Sequence, residues 1–462
     1  MNKIVIKNFF YAFGAQIISL LASLTITFFA PALIGVKQFA YWQLFLTYVT
    51  YVNITRLGIN DGLYLRLGGI KYEDLDFNLL SHERQVYIGY QTIVAILFAL
   101  LVYFSSASAD RKFVLFACAF CIVLINANGY LIYILQAVNL TSIYSTSVVL
   151  QNLTWFIAVA IIVIGKVYSY KVIIIMYILG HLIAGIYLVY HSKEIVKHKY
   201  VNKSNVIVDI KENIKCGIKL MVAMYAGSLI VSSVRMIVDA SWGVEVFGVF
   251  SFALTLSNVF LTFISQVSIV VFPALRRVES GKQKNVYMNL RNALSLMLPL
   301  VMAGYLPIVL IVNWFLPQYA ESLAFLPIFL PICTFDGKMQ MLCSSFFKSL
   351  RKENVLLKIN VITLSLSVAL ALIGSFVFKS IYFVAFSILI IVAFRSIFSE
   401  VILARYMQCN ICFDLLQEIL MVVLFVGLSL VIEASKMFVV YMLMYIIYLF
   451  INRNKIKTCL ER

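Results

Sequence analysis

The sequence predicts an all-α, polytopic membrane protein of about 14 transmembrane helices, arranged as two six-helix lobes in parallel pseudo-repeat plus two C-terminal helices. Three observations carry this expectation. First, 63% of the 462 residues are hydrophobic and 12% are charged, with a mean hydropathy of +0.98. That is about half the charged share of a soluble domain. Second, Lys and Arg collect on alternate connections. Third, a hairpin near the start recurs 208 residues later: Gly35, Val36 and Phe39 fall on Gly243, Val244 and Phe247. A period this long marks a duplicated lobe rather than a solenoid unit.

A span needs about 20 mostly apolar residues. That ruler places spans at 9–30, 39–54, 86–104, 113–135, 146–165, 172–190, 220–238, 246–272, 293–316, 322–347, 359–378, 381–404, 415–432 and 437–451. The first resembles the apolar core of a signal peptide. It is long enough to cross the bilayer and reads as an uncleaved helix. Alternating ten-residue strands of the barrel type are absent.

With the N-terminus inside, 27 of the 37 basic residues fall on inside segments and 7 on outside ones. The net charge of +17 therefore reads as the positive-inside rule, and no nucleic-acid partner is needed. Both termini are expected on the cytoplasmic side. The expected divisions are 1–190 for the first lobe, 191–219 for a cytoplasmic linker, 220–405 for the second lobe, and 406–462 for two further helices with a basic tail. Outside loops are short, about ten residues at most, which leaves no room for the external catalytic domain of a glycan polymerase. There is no Walker loop, and the eight cysteines include no zinc-type ligand set. No cofactor, metal or enzymatic activity is expected.

Six of the seven prolines fall between Pro273 and Pro331. Mid-helix prolines free carbonyls and break helices. An interrupted tenth span carrying Asp336-Gly337-Lys338 close to mid-bilayer is therefore a candidate transport site. Charges inside a bilayer cost roughly 2.5–3.5 kcal/mol each on insertion scales and need a reason. Arg235, Lys338 and Arg395 are the three cations inside spans, and Asp239, Asp336 and Glu400 are the nearby acids. Arg235 and Asp239, four residues apart, share a helix face. They read either as a structural ion pair or as charges at a cavity mouth. Arg395 has no acid at three or four residues' spacing. It reads as facing a wet cavity or anionic ligand, or else a partner on another helix. The first lobe offers Gln16, Asn126, Asn128, Gln151, Asn152 and His181. His181 is a candidate proton carrier or a neutral hydrogen-bonder. Arg56 and Asp61 read as interfacial. Aromatic residues at span ends, among them Tyr41, Trp42, Tyr168, Tyr170, Trp314 and Tyr319, read as membrane belts.

The motif Asp239, Gly243, Gly248-Val249-Phe250-Ser251-Phe252-Ala253, followed by Phe272-Pro273-Ala274-Leu275-Arg276, resembles a known pattern. It is similar to that of lipid-linked oligosaccharide flippases of surface-polysaccharide export, within the multidrug/oligosaccharidyl-lipid/polysaccharide exporter superfamily. The first hairpin matches in part at Leu33-Ile34-Gly35, Phe39 and Leu57-Gly58. It departs at Pro31, where an Arg is usual, and at Ala40, where Gly is usual. The resemblance implies two six-helix lobes around a cavity that opens alternately to each side of a bacterial cytoplasmic membrane. It implies an undecaprenyl-pyrophosphate-linked oligosaccharide (an O-antigen or capsule repeat unit) as substrate. Arg235, Lys338 and Arg395 would face the pyrophosphate. Asp239, Asp336, Glu400 and His181 would serve coupling or gating, with H+ or Na+ as the coupling ion. Membrane lipid and polysaccharide polymerase machinery would be partners. The alternatives are a cation-coupled multidrug antiporter of the same superfamily and, less favoured, a membrane glycan polymerase.

Overall fold

The computed structural model describes the backbone of residues 3–197, 203–276 and 283–460, and the side chains of residues 14, 18–197, 206–262, 264 and 283–456. Helices account for nearly all of this backbone, and there is no strand among the described residues. Eleven helices are long and apolar enough to cross a membrane, or twelve if one bent pair is a single span. Two of the eleven are too long for one crossing. Ile18–Arg56 has 39 residues and Val206–Thr262 has 57. At 1.5 Å per residue they measure about 58 and 85 Å, against a hydrocarbon core of about 30 Å. Each is broken at a glycine: Gly35 (φ 76°, ψ 170°) in α1 (Lys3–Val52) and Gly243 (φ 83°, ψ 175°) in α8 (Lys203–Arg276). Counting each broken helix twice and the bent pair once gives the fourteen crossings expected. The protein is an all-α, multi-pass membrane protein.

The two breaks are the repeated hairpin in physical form. Gly35 and Gly243 adopt nearly the same dihedrals, in a region essentially closed to residues with a Cβ. A Cβ at either position would meet no atom within 4 Å. The glycine requirement is therefore one of backbone conformation, worth about 1–3 kcal/mol, and not one of space. Arg235 ties the second hairpin across its break: its Nε donates to Ser251 Oγ at 3.1 Å, and its guanidinium lies 5.3 Å from the Phe247 ring centroid. Asp239, on the same arm, is buried.

By packing, the chain divides into two compact units, Met1–Ser232 and Ser233–Arg462. In the first, α1 leads through a 3-10 turn (Asn53–Arg56) to α2 (Ile59–Leu67), α3 (Phe77–Phe104), α4 (Ala109–Ala137), α5 (Thr141–Ile164), α6 (Tyr170–His191) and the short α7 (Lys193–Lys197). Helix α4 is central, touching α1, α2, α3, α5 and α6. Its Tyr130, Leu131, Ile134 and Leu135 close a core with Tyr87 and Leu188. The expected linker, 191–219, lies wholly in this unit and contains α7 and the first turns of α8. Glycine explains why those turns pack so closely: a Cβ on Gly58 would sit 2.5 Å from the Ile218 backbone nitrogen. Arg66 then pairs with Asp209 at 2.6 Å and with Glu212 at 3.2 Å.

The second unit continues α8 and adds α9 (Gln283–Met297), α10 (Tyr305–Phe315), α11 (Leu326–Phe329), α12 (Ile332–Lys338), α13 (Ser345–Ser349), α14 (Glu353–Leu372), α15 (Ile381–Tyr406), α16 (Cys412–Val431), α17 (Ala434–Ile451) and α18 (Arg453–Leu460). Pro327 and Pro331 act as expected, whereas span nine is interrupted at Pro299 and not at Pro307, which lies within α10. The pair Pro317–Ala324 and Leu326–Ser349 is bent by 54°, and a π-helical stretch, Met339–Ser344, follows Lys338. Pro299 lacks the N–H that would bond the Ser295 carbonyl. A 3-10 segment, Leu298–Gly304, replaces regular helix there. Tyrosines of α17 satisfy the released carbonyls: Tyr448 donates to Ser295 O (3.0 Å), Tyr445 to Leu296 O (2.7 Å) and Tyr441 to Pro299 O (2.8 Å).

The belt reading of the aromatics is only partly right. Trp314 and Tyr168 are exposed, but Tyr41, Trp42, Tyr170 and Tyr319 are core residues. Trp42 stacks among Phe45, Trp155 and Tyr177, and Tyr170 donates to Asp110 at 2.8 Å. A hydropathy window sees the ring near a span end but not the helix packed over it.

Candidate functional site

The charges expected to meet an anionic substrate behave differently in the two units. In the second unit, Lys338 at the end of α12 donates to Glu400 of α15 (2.9 Å) and to Glu418 of α16. Arg291 of α9 reaches Glu400 (2.5 Å), Asp414 (2.6 Å) and Glu418 (3.5 Å). Lys455 of α18 closes the chain on Asp414 at 2.8 Å. Three cations thus meet three carboxylates, and five helices meet in one charge-balanced, largely buried network. Sequence reading assigned Arg291 to an inside loop, yet its side chain is 0% exposed. Arg395 is not unpaired either. It holds Asp336 at 3.2 Å and the Asn360 side-chain oxygen at 2.8 Å. Asp336 also accepts from Gln340 at 2.8 Å. Residues two apart on α12 therefore point to different partners on α15, Asp336 to Arg395 and Lys338 to Glu400.

The first unit holds a cavity of about 340 Å³, lined among others by Arg56, Asn128, Tyr133, Gln136, Tyr144, Gln151 and His181. Arg56 is its one charged lining residue and, contrary to the interfacial expectation, is 7% exposed. The 3-10 turn Asn53–Arg56 ends in a left-handed residue, Leu57 (φ 52°), which turns the chain away and leaves the side chain pointing inward. Its Nε donates to Asn126 Oδ1 (3.1 Å), Nη1 to the Tyr133 hydroxyl (3.3 Å) and Nη2 to Asn53 Oδ1. The rings of Tyr133 and Tyr225 flank its Cζ at 5.6 and 5.5 Å. Every contact is neutral: among the described residues no carboxylate lies within 4 Å of it. Asn126 is itself held by Thr55 and Gln91 at 2.8 and 2.9 Å. Gln151 and His181 meet at 3.1 Å, and Asn128 donates to the His181 carbonyl at 2.7 Å. Asn152 donates to Ser19 at 2.7 Å. The side chains of Gln16 and of the motif 272–276 lie outside the described residues. Cys118 and Cys121 are free and buried, and no metal-type cluster is present among the described residues.

Asp61, on α2 and outside the candidate spans, is an acid whose charge acts on Arg56. Burial pushes its carboxyl from 3.8 up to about 6, with the Arg56 charge pulling the other way. One of its oxygens, Oδ2, is buried without a partner. A raised acid makes the folded state dearer as pH rises. The cost is absent below about pH 4, grows between 4 and 6, and is complete above 6. Asp61→Asn is thus expected to raise stability at pH 7.5 by up to about 3 kcal/mol and to have little effect at pH 4. Thermal unfolding of the purified protein at the two pH values checks this. An equal shift at both would show that the carboxyl is not raised.

The fold, an all-helical membrane chain with a glycine-broken hairpin in each of its two units, is similar to that of solved transporters of the MOP superfamily. Among solved structures the chain is similar to a MATE-family multidrug-resistance transporter of that superfamily in an inward-facing conformation, with 13% identity, TM-score 0.66, and coverage of 85% of this chain and 94% of that one. It is also similar to the lipid II flippase MurJ in an inward closed conformation, with 16% identity, TM-score 0.64, and coverage of 99% and 100%. A third is a MOP superfamily transporter from Pyrococcus furiosus described as having a binding pocket of reversed polarity, with 12% identity, TM-score 0.55, and coverage of 88% and 96%. At these identities the likeness establishes the fold. No family model matches the sequence, and no curated protein matches it.

Proposed function

We propose that the protein is a flippase that moves undecaprenyl-pyrophosphate-linked oligosaccharide repeat units from the cytoplasmic to the outer leaflet of a bacterial cytoplasmic membrane, by alternating access, for surface polysaccharide synthesis. The observation that carries this reading is Arg56: a buried guanidinium, free of any carboxylate partner within 4 Å, in the wall of a polar cavity. A buried charge is normally paired. One held only by amides, a hydroxyl and rings keeps its attraction for an incoming anion. A pyrophosphate head fits that chemistry, and the amides and tyrosines beside it suit sugar hydroxyls and ring faces. No carboxylate lines this cavity, which disfavours a cationic drug as cargo. The likeness to the lipid II flippase spans 99% of the chain, which takes in α16 and α17, and so supports a lipid-linked cargo. The test is a leaflet assay. Reconstituted in vesicles that contain the lipid-linked oligosaccharide on one side, the protein should make it accessible to a glycosidase on the other. Vesicles that protect the glycan as well as protein-free ones do would refute the assignment.

A further inference from the structure

A second cavity of the first unit, of about 210 Å³, shares no lining residue with that of Arg56. Its walls are apolar side chains and two tyrosines, among them Val86 and Tyr90 of α3 and Ile210 and Ile214 of α8. Leu57 and Val86, at its edge, are 38% and 49% exposed, so it is a slot open at the surface of the unit. The slot is preformed, because the first turns of α8 are locked in place. A Cβ on Gly62 would sit 2.0 Å from the Asn213 carbonyl oxygen, and one on Gly217 would sit 2.0 Å from that of Gly58. Asn213 also donates to Glu83 of α3 at 2.7 Å.

Going round α8 at about 100° per residue, three faces follow in order. Asn213 and Gly217 pack on α2. Ile210 and Ile214 come next and line the slot. Lys211, Lys215 and Lys219 follow, four residues apart on one exposed stripe. The acids of these turns, Asp209 and Glu212, are engaged by Arg66. Among the described residues none of the three lysines pairs with a carboxylate. The positive-inside rule accounts for lysines on this connection, but not for their place along the rim of an apolar slot. A free phosphate would use the lysines and leave the slot empty, and an uncharged lipid would fill the slot and ignore the lysines. An amphiphile with an anionic head and a hydrocarbon tail uses both.

We infer that the first unit carries a site for an anionic phospholipid, with one acyl chain in the slot between α3 and α8 and the head phosphate on Lys211, Lys215 and Lys219. This is a lipid held by the protein and not its cargo, so the site stands whatever the protein transports. Leu57, whose left-handed backbone aims Arg56, lines the slot, so a chain seated there also backs that turn.

The test uses the full-length protein in phosphatidylcholine nanodiscs containing a small fraction of phosphatidylglycerol with a diazirine in one acyl chain. After illumination, peptide mass spectrometry locates the label. Labelling is expected to saturate, to fall on the peptides holding Val86–Tyr90 and Ile210–Ile214, and to be competed by unlabelled phosphatidylglycerol but not by glycerophosphate. Changing Lys211→Gln, Lys215→Gln and Lys219→Gln together should weaken the competition by roughly 10- to 100-fold. Ile214→Trp, which fills the slot, should abolish labelling there. The lysine variant alters exposed side chains only, so it decides the matter even if Ile214→Trp does not fold. Equal labelling by a phosphatidylcholine probe, or labelling unchanged in the lysine variant, would overturn the head site. Competition by glycerophosphate alone would make it a site for a soluble anion, and label spread evenly over the apolar surface would overturn the slot.

Discussion

Replacing Arg291 with Met is expected to destabilise the second unit by about 3–5 kcal/mol, the usual loss when one member of a buried ion network is removed. Arg291 is the hub. Without it, Glu400, Asp414 and Glu418 face only Lys338 and Lys455, and one buried negative charge is left over. Lys338→Met should act in the same direction for the same reason. The surface pair Lys436–Glu433, at 3.1 Å but 71% and 74% exposed, is the comparison. Its removal should change stability by well under 1 kcal/mol, because water already solvates both charges. Thermal unfolding in detergent measures all three. Combining Arg291→Met with Glu400→Gln should recover part of the loss, since the pair of changes removes equal and opposite charge. If Arg291→Met or Lys338→Met left the unfolding temperature unchanged while abolishing flipping, the network would be a substrate site after all.

This prediction reverses a sequence-based expectation, and the reversal has a physical cause. Sequence shows charge and depth but not what crosses from another helix. Lys338 and Arg395 look unpaired because their partners are far along the chain: Glu400 is 62 residues from Lys338, and Asp336 is 59 from Arg395. Local spacing rules reach only three or four residues. The same blindness hid Arg291, which sits just ahead of an apolar run and looks like a positive-inside loop residue. What was legible was what the backbone or the bilayer dictates locally. Gly35 and Gly243 stood out because their conformation excludes other residues, so the repeat survived in sequence. The prolines from Pro299 to Pro331 marked the broken spans because a missing N–H is a local fact. Arg56 lay between these cases. Its place at a span end argued for the interface. The left-handed Leu57–Gly58 turn that aims it inward involves a non-glycine residue, which composition does not reveal.

Arg56→Gln should separate function from stability in the opposite sense to Arg291→Met. Transport in the leaflet assay should fall by about 10- to 100-fold, because a charge-assisted contact worth roughly 1.5–3 kcal/mol is lost to the anionic head. Stability should change little, because relief from burying the cation is offset by the loss of its pull on the Asp61 carboxyl. Arg56 has no carboxylate within 4 Å to orphan, and its removal ends the cost of burying a cation against Asn126, Asn53 and two tyrosine rings. A glutamine amide can keep one of the Asn contacts. Arg56→Lys is the discriminating intermediate. It keeps the charge but not the planar fork that serves Asn126, Tyr133 and Asn53 together. It should therefore retain part of the activity, with a raised KM as the main defect. Were the charge serving the fold alone, Gln would lower the unfolding temperature and Lys would restore it. Were it serving the substrate, Gln would leave the fold intact and the cargo on its original leaflet.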